Sequence, residues 1–454
     1  MRTGPRETGS VARTRPTTWL TSDAALARAL GRPITRFLRI EAAGGILLLA
    51  AAVVALVWAN SPWWASYERL WTTDIVLTVG HRTMDDDLRH WINDGLMALF
   101  FFVLGLEIRR ELADGQLSTP RAAAVPAFGA LGGMVVPALV YLAINRGGPG
   151  VDGWGIPTAT DVAFSLGVLA LLGRRSPPGL KVLLLGLAIV DDIGAIVVIA
   201  LFYSGGLHLR WLAAAVAGLA AVALLRRARV WYLPVYVVIG VAVWFATRES
   251  GVHATIAGVA LGLLTPAAPL MDEPAADHIA DELSADRDVT ATEVRDISFR
   301  IRESVPLTER LADTLHPWTG YVIVPLFALA NAGVRVTGDR LSAAATSRIT
   351  LGVAVGLVVG KLVGVAGAIG LATRLGVGEL PAGVTRRHVV GMAGLAGIGF
   401  TVSLFITALA FPGPRLGGEA KIGVLAASVV AALVGTTILT IAPRPRAAGQ
   451  AGTR

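Results

Sequence analysis

Residues 153–202 read GWGIPTATDVAFSLGVLALLGRRSPPGLKVLLLGLAIVDDIGAIVVIALF. Two apolar runs, 156–173 and 182–204, are joined by a short loop with Arg174, Arg175 and Lys181. Each run is long enough to cross, or nearly cross, a bilayer, which takes about 20 apolar residues. Both carry acid where hydrocarbon should be. Asp191 and Asp192 fall near the middle of the second run, and Asp161 follows Pro157, Thr158 and Thr160 early in the first. Ionisable groups inside spans are expensive and mark functional positions by default. Proline in a helix interior loses a hydrogen bond and crowds the carbonyl four residues back. Pro157 therefore predicts a broken span, with a half-helix starting near Thr160 whose positive end faces Asp161. A simple N-cap at the membrane surface is the competing explanation.

The same pattern extends in both directions. Of the 454 residues, 54% are hydrophobic and 16% charged, and mean hydropathy is +0.64. Soluble domains carry about 25% charged residues. The expected fold class is an all-α polytopic membrane protein of about twelve transmembrane helices. The spans are placed at 38–60, 93–109, 122–144, 156–173, 182–204, 211–225, 230–247, 252–266, 318–334, 349–373, 388–411 and 421–442. Residues 1–37 form a polar, Arg-rich tail, 38–442 one transmembrane domain with an acidic loop at about 266–315, and 443–454 a C-terminal tail. The apolar stretch at 45–59 ends in Trp58 with no small-residue cleavage site, so it reads as an uncleaved first span.

Loops after spans 2, 4, 6 and 10 each hold three basic residues, and those after spans 3, 5 and 7 hold one each: Arg146, Arg210 and Arg248. This positive-inside bias places both termini in the cytoplasm. The net charge of +8 then serves orientation; with no soluble basic face, no nucleic-acid partner is expected. There are no cysteines, which excludes disulfides and thiolate chemistry. No cofactor is expected.

Two loops differ from simple turns. In 71–90, Thr73, Ile75, Leu77 and Val79 alternate before Gly80, predicting a small outer β-hairpin. An isolated hairpin is marginal in water, so a second protomer is the expected partner. The 266–315 loop holds twelve carboxylates against five arginines and reads as a solvated spacer.

Three further features carry chemistry. Span 11 crowds Gly391, Gly394, Gly397 and Gly399 into nine residues. Glycine costs roughly 1 kcal/mol against alanine inside a helix, so this span also reads as interrupted, close helix packing being the alternative. Interrupted spans at matching positions of two three-span units, 3–5 and 10–12, point to an inverted-repeat transporter. Lys361 lies mid-span in span 10, where it is expected to neutralise a carboxylate or the negative ends of broken helices. Glu107, Arg110 and Glu111 sit at the end of span 2, the two glutamates four residues apart on one face; an interfacial salt-bridge cluster is the plainer reading. Asp94 opens that span. His253 and His316 are lone histidines for which packing or hydrogen bonding is expected.

Adjacent helix residues point about 100° apart. Asp191 and Asp192 therefore cannot share one stripe: one can face a water-filled cavity while the other meets a partner on a neighbouring helix. Carboxylate oxygens bind a sodium-like ion only when deprotonated, so such a pair suits exchange of a proton for a hard cation.

Together WINDGLMALFFFVLGLEIRREL (91–112), GWGIPTATDVAFSLGVLALLG (153–173), LAIVDDIGAIVVIALFY (187–203), SGVHATIAGV (250–259), LHPWTGYVIVPLFALANAGV (315–334), VGKLVGV (359–365) and GIGFTVSLFI (397–406) resemble the NhaA family of bacterial sodium–proton antiporters. That family is one of those from which the inverted-repeat rule is drawn, so the two readings are not independent. The resemblance implies that Asp191 and Asp192 bind the transported ion and protons. It implies that Thr160 and Asp161 compensate half-helix ends at the crossing of spans 4 and 11, and that Lys361 pairs with Asp191 when no sodium is bound. Glu107, Arg110 and Glu111 would belong to a cytoplasmic pH-responsive cluster. The implied protein is an inner-membrane homodimer held partly by the periplasmic hairpin. It would be no enzyme, but an electrogenic, pH-regulated exporter of sodium or lithium, taking up two protons per sodium. One departure concerns pH sensing: where the family has an acidic residue and a histidine before HPW, this chain has Ala312 and Asp313. The competing functions are a sodium-coupled symporter of an organic anion and an intramembrane aspartyl protease. The central acid–acid–lysine set argues against the first, and the absence of GxGD before the acids against the second.

Overall fold

The computed structural model describes residues 43–79, 82–115, 118–173, 176–228, 230, 232–269 and 290–442. The N-terminal tail, the C-terminal tail, most of the acidic half of the 266–315 loop, and Arg174, Arg175 and Arg229 lie outside the described residues.

The chain is mostly helical. In order come α1 (Ala43–Ala59), α2 (Trp64–Trp71), β1 (Asp74–Val79), β2 (Arg82–Asp87), α3 (Leu88–Ala113), α4 (Pro120–Ile144), a 3₁₀ segment (Val151–Thr158), α5 (Val162–Leu171), α6 (Pro178–Phe202), α7 (Leu209–Arg227), α8 (Leu233–Glu249) and α9 (Thr255–Leu264). There follow α10 (Ala291–Glu303), α11 (Leu307–Trp318), a π turn (Thr319–Ile323), α12 (Val324–Asn331), α13 (Gly338–Thr346), α14 (Arg348–Arg374), α15 (Arg386–Ala396), α16 (Phe400–Ala410) and α17 (Pro414–Ile441).

Among the described residues seven helices are long and apolar enough to cross a membrane, or up to nine if each of two bent pairs is one span. The spans expected at 230–247 and 252–266 coincide with helices of 17 and 10 residues. The span at 318–334 is the apolar end of a segment whose first half, α11, is amphipathic. Many apolar side chains face outward: Leu139, Leu201, Leu224 and Leu433 are each 60% exposed or more. Lipid is the solvent such surfaces require.

The hairpin forms as the alternation predicts. β1 pairs antiparallel with β2 in the register Asp74–Asp87 to Val79–Arg82. Its base is tied to the helices: Arg248 at the end of α8 holds the Asp86 carboxylate, Arg248 Nε lies 3.5 Å from Asp94, and His90 lies 3.3 Å from Asp94. Asp94 therefore belongs to a cluster at the hairpin end of α3, remote along that helix from Glu107.

Both predicted interruptions are present. Before α5 the backbone runs as 3₁₀ helix through Thr158 and is extended at Ala159 and Asp161. α15 and α16 meet at Gly397–Gly399 with a 42° bend. Each broken segment lies between two long helices, α4 and α6 in one case, α14 and α17 in the other. The glycines of the second segment serve chiefly close approach. A Cβ at Gly394 would come within 2.9 Å of Gly435 Cα, and one at Gly397 within 2.4 Å of the Leu357 carbonyl oxygen. The packing explanation and the interruption hold together.

Candidate functional site at the helix crossing

The two interrupted segments cross in the protein interior, and their loose backbone ends satisfy one another. The Asp161 N–H donates to the Ile398 carbonyl at 2.6 Å. Ser165 Oγ donates to the Leu395 carbonyl at 2.9 Å, and Thr160 Oγ1 to the Ala396 carbonyl at 2.8 Å. Two carbonyls at the C-terminus of α15 thus accept hydroxyls from the other segment, Leu395 in addition to the Ile398 N–H at 3.0 Å. Ser403 Oγ of α16 returns the arrangement, donating to the Ile156 carbonyl at 2.8 Å.

Asp161 serves two helix N-termini at once. Its Oδ1 accepts from the Phe164 N–H at 2.9 Å, capping α5. Its Oδ2 accepts from the Thr401 N–H at 3.0 Å and the Thr401 hydroxyl at 2.6 Å, at the first turn of α16. A carboxylate here meets orphan donors and the positive ends of both half-helices. This excludes the surface N-cap alternative, because Asp161 is only 2% exposed. Thr401, Ser165 and Ser403 escaped the sequence reading: a hydroxyl in an apolar helix gives no sign of which crossing backbone it will meet.

Lys361 arrives from α14. The stretch just before it, Gly356–Gly360, is a π turn; such insertions rephase a helix and recur at functional sites. Lys361 Nζ donates to Asp191 Oδ2 at 2.7 Å, to Asp191 Oδ1 at 3.0 Å and to Thr160 Oγ1 at 2.9 Å. Lysine and aspartate are 0% and 1% exposed at the side chain. A buried charge persists only when paired and hydrogen-bonded, and Lys361 uses all three donors of its ammonium.

Asp192, one residue on, diverges as helical geometry requires. Among the described residues it takes part in no hydrogen bond or ion pair, and it lines a cavity of about 520 Å³ together with Asp161, Thr160, Thr401, Glu107 and His316. The cavity joins the helix crossing to the end of α3. There Glu107 Oε1 lies 3.5 Å from His316 Nδ1 of α11. The hydrogen bond to Glu107 raises the His316 pKa above its ordinary 6.5, against the opposing effect of burial. His316 is the group the residue-by-residue reading undervalued, because a contact between α3 and α11 is invisible to local pattern. Glu111 is buried at 8% exposure and engaged, but it does not line the cavity. Arg110 lies near enough to His316 to oppose its protonation.

Among the described residues the ligand atoms on offer at the crossing are oxygens: carboxylates, threonine hydroxyls and backbone carbonyls. That donor set suits hard cations. Among the described residues no three His, Cys, Asp or Glu converge as a metal cage. A cation held here would therefore complete its coordination with hydroxyl, carbonyl or water oxygens.

Crossed interrupted helices around a buried acid–lysine pair, in a multi-pass membrane protein, define a class: ion transporters that bind their cargo inside the bundle. The sequence pattern described as Na+/H+ antiporter 1 matches residues 35–439, and the chain belongs to that family. Among its relatives, the Na(+)/H(+) antiporter NhaA 3 of Frankia alni is 50% identical over 90% of this chain and 88% of its own length. The Na(+)/H(+) antiporter NhaA 2 of Sorangium cellulosum is 48% identical over 96% and 95%. The NhaA antiporter of Rhodopirellula baltica is 49% identical over 90% and 93%.

Proposed function

We propose that this sodium–proton antiporter works electrogenically, exporting one sodium or lithium ion for two protons taken up. The observation that carries this is the division of labour between neighbouring acids: Asp191 is locked to Lys361 at 2.7 Å, while Asp192 faces the cavity alone. In the cation-free site Lys361 is the ammonium partner of Asp191, and Asp192 carries a proton. A sodium ion entering the cavity takes the Asp192 oxygens, displacing that proton, and draws Asp191 away from Lys361. The ammonium, left buried without its carboxylate, releases the second proton. Two protons leave for one cation, and the reverse exchange at the opposite face moves net positive charge inward. Asp161 and Thr160 hold the crossing polar and intact while the ligands rearrange.

In this reading α4–α6 and α14–α17 are the two inverted repeats of a twelve-span bundle in the bacterial inner membrane, both termini cytoplasmic. The cavity opens on the cytoplasmic side, where Glu107, Arg110, Glu111 and His316 tune access to pH. The hairpin at 71–90 joins two protomers. Its strand β1 supports that role: Ile75, Val76 and Leu77 are all more than a third exposed, and an apolar free edge is a template for pairing.

The test is sodium-dependent dequenching of a pH-gradient dye in vesicles holding the purified chain, run with and without an imposed membrane potential. Antiport predicts dequenching on sodium addition and a rate that follows the potential. Sodium-driven dequenching that ignores the potential would refute the stoichiometry, and its absence would refute antiport.

A further inference from the structure

The segment between α9 and α11 contains a feature that ion exchange does not use. α10 is an isolated thirteen-residue helix, ATEVRDISFRIRE. The sequence spaces Val294, Ile297 and Ile301 at intervals of three and four residues, the pattern of one apolar stripe. Ile301 is 48% exposed, and Val305 just beyond the helix is 36% exposed. Phe299, about 160° around the helix from Ile301, lies off this stripe. Arg295 and Arg302, two turns apart, share one edge of it; Arg302 also lies 3.6 Å from Glu303.

On the opposite side the C-terminal end of the helix is tied to the protein. Glu303 is 5% exposed and takes the α11 guanidinium of Arg310 through both oxygens, at 2.9 and 3.0 Å. This fork–fork contact fixes which way α10 faces: the Ile301 side turns outward. Its height is also fixed. Just past α10, the Thr308 N–H donates to the Pro266 carbonyl at 3.2 Å, two residues beyond the end of the apolar helix α9 at Leu264. α11 in turn runs through Trp318 and the π turn into α12. α10 therefore leaves the protein level with the ends of membrane-embedded helices.

We propose that α10 lies in the headgroup region of the bilayer, with its Ile301 face turned into lipid and the Arg295–Arg302 edge among lipid phosphates. Amphipathic helices with arginine at the border of an apolar face bind in this way, the long side chain reaching back to the polar layer. A second copy of the chain fits less well. One face of a helix about 20 Å long and about 10 Å wide falls far short of the roughly 800 Å² per partner of a stable interface. The loop expected as a plain solvated spacer thus contains a surface anchor.

The chain has no cysteine, so a nitroxide on Ile301→Cys or on Thr292→Cys occupies a single known position. Both residues are exposed, and they lie about 180° apart on the helix. The full-length protein in phospholipid nanodiscs is examined by power saturation with oxygen, which concentrates in acyl chains, and with a water-soluble nickel chelate. The expected result is greater accessibility to oxygen than to chelate at position 301 and the reverse order at 292. Chelate-dominated relaxation at 301 would overturn the proposal. So would dipolar broadening at 301 that disappears on dilution with unlabelled protein, since a second copy would then cover the face. Neither readout depends on transport, so this test stands apart from that of the exchange mechanism.

Discussion

Asp161, Lys361 and Asp192 are three ionisable groups in the protein interior with three different solutions. Asp161 is held by donors of two helices, Lys361 by a carboxylate and a hydroxyl, and Asp192 by nothing among the described residues but an open cavity. The differences predict different responses to substitution. Asp192→Asn keeps the volume and removes the one carboxylate of the pair that lines the cavity, so transport should vanish while the protein still reaches the membrane. Dequenching near the wild-type rate would refute its role. Lys361→Ala leaves Asp191 bare; losing one partner of a buried pair costs about 3–5 kcal/mol, so thermal stability in detergent at neutral pH should fall together with activity. Thr401→Val removes a hydroxyl 2.6 Å from the Asp161 carboxylate. A hydrogen bond to a charged group is worth about 1.5–3 kcal/mol, so a lower melting temperature and slower exchange are expected, with recovery in Thr401→Ser. A melting temperature unchanged in Thr401→Val would show that the backbone N–H alone suffices.

At the scale of elements, the candidate site rests on two irregular segments and the contacts that keep them irregular. Gly397→Ala would place a Cβ 2.4 Å from the Leu357 carbonyl oxygen and 3.1 Å from the Ala431 Cβ. The rigid backbone on one side cannot yield cheaply, so α15 must shift and the crossing with it; exchange should drop well below wild type, and unchanged exchange in correctly inserted protein would show a crossing more tolerant than its distances imply. The contact of α11 with α3 carries a pH dependence. Because the His316 pKa is raised in the folded protein, its bond to Glu107 stabilises fully below the ordinary 6.5 and is lost as pH rises through the raised folded value. Under the proposed pH regulation, opening of that contact on alkalinisation is in the direction of activation. His316→Ala should therefore move the rise of activity to lower pH, read as dequenching amplitude against pH at fixed sodium. An unshifted profile would leave Glu107 and its neighbours without a regulatory part. Ala312 is buried and Asp313 exposed, as the 100° step between them requires, so restoring a carboxylate by Ala312→Glu would bury it rather than add it to the mouth.

At the scale of the whole molecule the hairpin bears on assembly. The hairpin stands on α3 and α8 through Asp86, Asp94 and Arg248, and both strands of a two-stranded sheet keep a free edge. On the proposed hairpin-joined dimer, replacing residues 75–86 with a short Gly-Ser link should leave a monomer, measured as mass by light scattering in mild detergent. A persisting dimer would put the interface on the helical surfaces.

Composition and periodicity were enough for the membrane class, the hairpin, both interruptions and the buried charges, because each is a local conflict with hydrocarbon: an acid, a proline or a crowd of glycines where an apolar helix should run. The 100° step between Asp191 and Asp192 was sufficient to predict that the two acids part company. It could not say which meets the lysine, because that depends on the phase of α14, shifted by a π turn with no clear mark in GLVVG. Span lengths were overread at 252–266, where ten helical residues stand for a full crossing; hydropathy counts apolar residues without knowing where packing lets the helix stop. Thr401 and Ser165 stayed hidden, and the partner of His316 with them, for one reason. Their partners lie some 210 to 240 residues away in the chain, and a hydroxyl or an imidazole becomes a ligand, a cap or a latch only when another helix supplies the other half. Tertiary structure alone decides that, because hydrogen bonds act over about 3 Å and the chain order of the two partners carries no record of their approach.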